Sequence, residues 1–258
     1  MPKMPALFAG HGSPMNAIED NPFSQGWRTL SRQLPKPRAI LSVSAHWYGK
    51  GTRVMTQAAP QQIYDFFGFP KALYDLKYPA SGAPEAARET LALLTPPAVS
   101  DEAWGIDHGT WSVLVHLFPE ADVPVFQLSI DAAQPPAYHY ALGQRLAPLR
   151  EAGIMIFGTG NIVHSFQGAR FDMEGGHPWA YEFDDYIYRC ITEGDHGGVI
   201  DPHQAGPSAR QAFQTPDHYY PLLYVLGAAA PTDRIRVFNR ACVMGGFSMT
   251  GYVFTPEE

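Results

Sequence analysis

Ile154-Met155-Ile156-Phe157-Gly158-Thr159-Gly160-Asn161-Ile162-Val163-His164 joins an apolar run of strand length to a glycine-broken loop that ends in a histidine. Just upstream, residues 137–150 read as a helix closed by Gly153, a residue suited to the left-handed position after a helix. Pro148 in its last turns predicts a kink or an early end. Moving outward, further short apolar runs at 6–9, 39–45, 123–130, 234–239 and 246–254 join 154–158 as expected strands. Helical patterns fall at 23–33, 84–94, 111–117, 137–150, 179–193, 208–213 and 219–226. Pro84 suits the start of the second, where a missing N–H is harmless, and Thr95-Pro96-Pro97 is its expected stop. This alternation predicts one α/β domain over residues 1–258, with a central mostly parallel or mixed sheet flanked by helices.

Composition narrows the function. The formal charge is −7, and no cluster of Lys or Arg offers the basic stripe that a nucleic-acid binder needs. An acidic surface does not favour anionic membranes either. The apolar stretch 5–9 is too brief for a signal peptide, and 222–230 falls far short of the ~18 residues of a membrane span. Cys190 and Cys242 make no disulfide framework and fit a cytoplasmic, soluble protein with a small-molecule partner. With 24 glycines and 24 prolines, loops should be extensive. Segment 55–78 is rich in aromatics (Tyr64, Phe66, Phe67, Phe69, Tyr74, Tyr78). It suits either the wall of a pocket for a flat substrate or a loop pinned on the core.

The ten histidines are informative by position. His11 follows the first expected strand in Gly10-His11-Gly12-Ser13-Pro14, His46 the second in Ser44-Ala45-His46-Trp47, and His164 lies six residues beyond the strand at 154–158. Ligands of open α/β sheets gather at the carboxyl ends of strands, so these three rings converge if their strands are parallel neighbours. Imidazole binds Fe, Zn, Cu and Ni, and the lack of nearby thiolates excludes a sulfur-rich site. His218, before the helix at 219–226, and His108, in Asp107-His108-Gly109-Thr110-Trp111, are further candidates. Asp107 is placed either to orient the His108 ring or to cap the next helix. His116 and His139 sit within expected helices as packing or surface residues, and His177, His196 and His203 lie in loops. Several familiar signals fail. Gly158-Thr159-Gly160 lacks the third glycine of a dinucleotide loop, no P-loop occurs, Ser13 and Ser44 stand in no nucleophile elbow, and His-Glu-x-x-His is absent.

Five segments occur in the order of a known family: Gly10–Pro14, 44–47, 107–111, 158–164 and Pro216-Asp217-His218-Tyr219-Tyr220-Pro221-Leu222-Leu223-Tyr224. Over residues 4–254 the chain resembles the class III extradiol ring-cleavage dioxygenases, and within them the bacterial DOPA-dioxygenase branch. The His-Gly-Ser opening alone is also similar to tetrapyrrole metal chelatases. The dioxygenase resemblance implies a mononuclear metal in a cleft at strand ends. It assigns His11, His46 and His218 as metal ligands, His164 as the catalytic acid/base or a fourth ligand, and His108 as a substrate contact able to hydrogen-bond developing oxygen charge. The wider class uses two histidines and a glutamate; the histidine here leaves the full +2 charge to favour a catecholate. Expected partners are a small aromatic catechol and O₂, with a muconic semialdehyde as product, Fe(II) for activity and Zn(II) as an ion the same site could hold. Two rival readings stand beside it: a zinc-dependent hydrolase using the same histidines, and a non-catalytic metal- or small-molecule-binding protein on the same fold.

Overall fold

Residues Ala6–Gly10 (β1), Val125–Asp131 and Ile154–Gly160 are buried at every position; the first and the start of the third read as apolar runs, while Val125–Asp131 alternates with buried Gln127, Ser129 and Asp131. The computed structural model describes residues 2–94 and 98–257. Its main sheet comprises β1, β2 (Ala39–Gly49), β3 (Arg53–Met55), β4 (Val99–Asp101), β5 (Val125–Asp131), β6 (Ile154–Gly160), β7 (Arg234–Phe238) and β10 (Gly251–Thr255). Two shorter strands, β8 (Cys242–Val243) and β9 (Phe247–Ser248), form a separate hairpin. The spatial order is β4-β3-β5-β2-β6-β1-β10-β7, with β5, β2, β6 and β1 mutually parallel and antiparallel pairings toward both edges. The sheet is therefore mixed around a parallel centre.

The helices are α1 (Pro22–Ser31), α2 (Lys71–Asp75), α3 (Pro84–Leu93), α4 (His108–Leu117), α5 (Pro136–Glu151), α6 (Pro178–Glu193), α7 (His196–Ile200), α8 (Ala209–Ala212) and α9 (Tyr220–Ala228). Among the described residues, no helix is long and apolar enough to cross a membrane. At the end of α5, the fully buried Arg150 donates to Asp233 Oδ2 at 2.6 Å and to the carbonyls of Met4, Ala228 and Phe254. One satisfied guanidinium thus joins α5 to the ends of α9 and β10 and to the entry of β1. Removing either partner of such a buried pair strands a charge, at a cost of about 3–5 kcal/mol.

Several expectations are corrected. Pro148 does not end α5, which runs on to Glu151, while Gly153 takes the expected left-handed conformation at φ +80°. Helix α4 starts at His108 rather than 111, because Asp107 caps it by accepting from Thr110 N. Strand β2 continues through His46 to Gly49, with its pairing to β5 interrupted between Val43 and Tyr48. The strand expected at 246–254 is split into β9 and β10. Helix α3 ends at Leu93; the Thr95-Pro96-Pro97 stop lies outside the described residues. Elements β3, β4, β8, α2 and α7 are too short to have shown a period.

Candidate active site

The strands bearing His11, His164 and His46 (β1, β6 and β2) are consecutive and parallel, so the condition for convergence holds. His11 N donates to Gly160 O at 3.0 Å, fixing the exit from β1 against that from β6. His46 sits in the irregular stretch of β2, a device that re-aims a side chain. His218 is held by Gly160: a Cβ there would lie 2.1 Å from the His218 carbonyl, which also accepts from Asn161 N at 2.9 Å. The glycine loop therefore serves close packing rather than phosphate binding. Gly109 does the same for α4, since a Cβ would press on His46 at 2.7 Å and on His11 at 3.3 Å.

One nitrogen from each of His11, His46 and His218 lies within 4.8 Å of the other two. The hydrogen bonds fix which nitrogen is free. Thr159 donates its only hydroxyl hydrogen to Gly109 O at 2.6 Å, so at 2.9 Å it accepts from His11 Nδ1–H. The carboxylates of Asp65 and Asp217 accept from Nδ1–H of His46 (3.0 Å) and His218 (2.6 Å). All three Nε2 atoms are left with lone pairs, as ligating imidazoles require. His11 Nε2 and His46 Nε2 stand 3.2 Å apart, and two lone pairs at that distance repel unless a proton or a metal ion lies between them.

For His11 and His218 the electrostatics favour the same reading. Burial, reinforced by neighbouring imidazoles, holds His11 and His218 well below the usual histidine pKa, so both remain neutral donors. Burial also opposes charge on His46, but its hydrogen bond to Asp65 and the field of Asp107 outweigh that and raise its pKa. An all-nitrogen set without thiolate suits a divalent first-row transition metal. The histidines open into a cavity of about 350 Å³, walled by Phe66, Phe69, Phe166, Phe171 and Phe247.

A family model described as the catalytic LigB subunit of aromatic ring-opening dioxygenase matches residues 4–255. The chain belongs to this family. It is 44% identical to a 4,5-DOPA dioxygenase extradiol of Escherichia coli (strain K12), over 96% of this chain and 93% of that one. It is 37% identical to a 4,5-DOPA dioxygenase extradiol of Beta vulgaris, over 96% of both. A solved structure of an uncharacterized protein from Escherichia coli K12 superposes with a TM-score of 0.85 at 39% identity, covering 97% of this chain and 99% of the other. The chain is thus an aromatic ring-opening, extradiol dioxygenase, and the hydrolase and non-catalytic readings fall away.

Within this dioxygenase fold, His108 joins the cluster through Asp65, which accepts from its Nδ1 at 2.8 Å and its backbone N–H at 3.0 Å. His164 stands apart from the three-nitrogen group and stacks on His218, with centroids 3.4 Å apart and planes 5° from parallel. Asp107 is fully buried and serves as cap and strut, accepting from Ser44 Oγ and Gln127 Nε2, both at 2.7 Å, rather than orienting His108. The aromatic segment divides between its two readings. Phe66 and Phe69 line the cavity, Tyr78 is buried in the core, and Phe67 is 92% exposed. Four of the five remaining histidines serve structure: His139 bonds Tyr224, His116 bonds Asn16 O, His177 bonds Gly168 O and His196 bonds Tyr140, while His203 is exposed.

Sequence reasoning missed Asp65. Its carboxylate bridges His46 and His108, and their hydrogen bonds hold it well below the usual carboxylate range despite the opposing effect of burial. One signal was there to find: Asp65 is the only charged residue between Arg53 and Lys71, set among aromatics.

Proposed function

We propose that this dioxygenase opens a catechol carrying a slender, DOPA-like side chain, at a single Fe(II) held by Nε2 of His11, His46 and His218, to give a muconic semialdehyde. The observation that carries the site assignment is the facing pair of Nε2 atoms in His11 and His46, 3.2 Å apart with each Nδ1–H already engaged, so that an ion between them would replace any shared proton. When bound there, Fe(II) supplies Lewis acidity toward the catechol oxygens and a path for electrons from the ring to O₂. Zn(II) suits the same nitrogens but lacks that redox capacity. The DOPA-like substituent is inferred from the names of the E. coli and Beta vulgaris relatives.

The protein's own groups handle the protons. Burial pushes the His164 pKa down to about 4, so its ring is neutral at pH 7 with a lone pair available to a catechol hydroxyl. An anionic catecholate beside it draws that pKa back upward, which lets the proton be held and later returned. His108 is kept neutral mainly by burial, and its Nδ1–H is spent on Asp65. Its Nε2 therefore accepts from substrate first, and it donates toward oxygen charge only after taking a proton, with Asp65 stabilising the imidazolium. Stacking of His164 on His218 favours an acid/base beside the metal over a fourth ligand. Phe66 and Phe69 supply apolar surface for a flat ring.

The test is oxygen uptake with a panel of catechols after anaerobic loading with Fe(II) or Zn(II). The iron form is expected to consume one O₂ per catechol and form a visible-absorbing semialdehyde, while the zinc form binds catechol and consumes none. Equal turnover with both ions contradicts the proposal.

A further inference from the structure

The hairpin of β8 and β9 turns through Met244 and Gly245, at φ +49° and +75°. Positive φ is natural for glycine and tolerated by Asn or Asp, but is uncommon for a long side chain such as methionine. The backbone at Met244 is fixed. Its N–H donates to Met173 O at 2.9 Å, and its carbonyl accepts from Arg170 N at 2.8 Å and Gly246 N at 2.9 Å. A glycine would keep all three bonds and relax the strain; what it would lose is the side chain. Met244 is among the residues that line the cavity with His11, His46, Phe171 and Phe247. The other non-glycine residues with positive φ among those described, Ala121 and Asn239, line no part of it. Backbone strain kept at one wall of a binding cavity is characteristic of a ligand clamp.

The cavity, at about 350 Å³, is near the lower end for small-molecule sites, so one flexible side chain in its wall governs what fits. A thioether also packs well against an aromatic ring. We propose that Met244 is a specificity-determining residue, closing one wall of the cavity against catechols with bulky ring substituents. This rests on the reading that the cavity binds a catechol.

Catechol and 4-tert-butylcatechol provide the test, applied to wild type, Met244→Ala and Met244→Gly in the Fe(II)-loaded enzyme. Both variants enlarge the cavity, and only glycine relieves the strain. The ratio of kcat/KM for 4-tert-butylcatechol over catechol should rise on the order of tenfold or more in both variants. The ratio of calorimetric affinities, measured anaerobically, should rise with it. Met244→Gly should melt no lower than Met244→Ala. Unchanged ratios in both folded variants overturn the proposal, as does a Met244→Gly that melts below Met244→Ala, because the turn would then hold no strain for glycine to relieve. A wild type that consumes no oxygen with either compound sinks the catalytic reading instead, and the affinity ratios still decide the role of Met244.

Discussion

The rings of His164 and His218 lie face to face, 3.4 Å between centroids and 5° from parallel. Parallel ring planes that far apart cannot both contain one ion, so a metal in the plane of His218 lies out of the plane of His164, which lines the same cavity. A positioned base contributes about 10²–10⁴-fold to rate. Replacing His164 with Gln should therefore leave metal and catechol affinity largely intact while single-turnover ring opening falls by about that factor. Metal titration and stopped-flow absorbance on the same preparation check it. Collapse of metal affinity would make His164 a ligand, and near-normal turnover would remove its role.

Asp65 bridges two imidazoles with one carboxylate, Oδ2 to His46 and Oδ1 to His108. An asparagine has a single acceptor oxygen, so in Asp65→Asn one ring must move its proton to Nε2 or leave its Nδ1–H unpaired. Loss of such outer partners typically costs about 10–100-fold in metal affinity or activity. Competition with a chelator should show a loss of that order in folded Asp65→Asn. Unchanged affinity and turnover would leave Asp65 a structural bridge only.

Away from the active site, His139 is buried, with Nδ1 against Tyr224 Oη at 2.9 Å and Nε2 against Gln134 O at 3.3 Å. Burial pushes its pKa down to about 4. Below about pH 6.5, the usual histidine value, the unfolded chain takes up a proton there that the folded chain refuses. The stability His139 contributes is thus full above that pH and drains as pH falls toward 4. His139→Gln should be less stable at pH 7 yet lose less melting temperature than wild type between pH 7 and 4.5. Parallel losses in both proteins would show that other groups carry the acid sensitivity.

Strands β1, β2 and β6 at the centre of the sheet were legible because their buried starts leave short apolar runs, and His11 and His46 because a histidine ends or interrupts such a run. The edges were less legible. Strands β3 and β4 have three residues each, too few for a period of two to show. Pro148 does not end α5, which runs on through Arg150, and there the guanidinium holds Met4, Ala228, Asp233 and Phe254, contacts distant in sequence that no local reading shows. Gly160 could not be assigned from sequence, since its purpose is the missing Cβ against the His218 carbonyl, a contact between residues far apart in the chain. Asp65 escaped for the same reason: the two rings it serves are 19 and 43 residues away in sequence.

The central claim is that His11, His46 and His218 together hold one metal ion, and metal content per folded chain tests it most directly. Wild type and the three single alanine variants would be loaded with Fe(II) anaerobically, desalted and analysed by elemental mass spectrometry, with circular dichroism confirming the fold. The expected result is one ion per wild-type chain and clearly substoichiometric metal in each variant. Wild-type metal content in all three folded variants would contradict it.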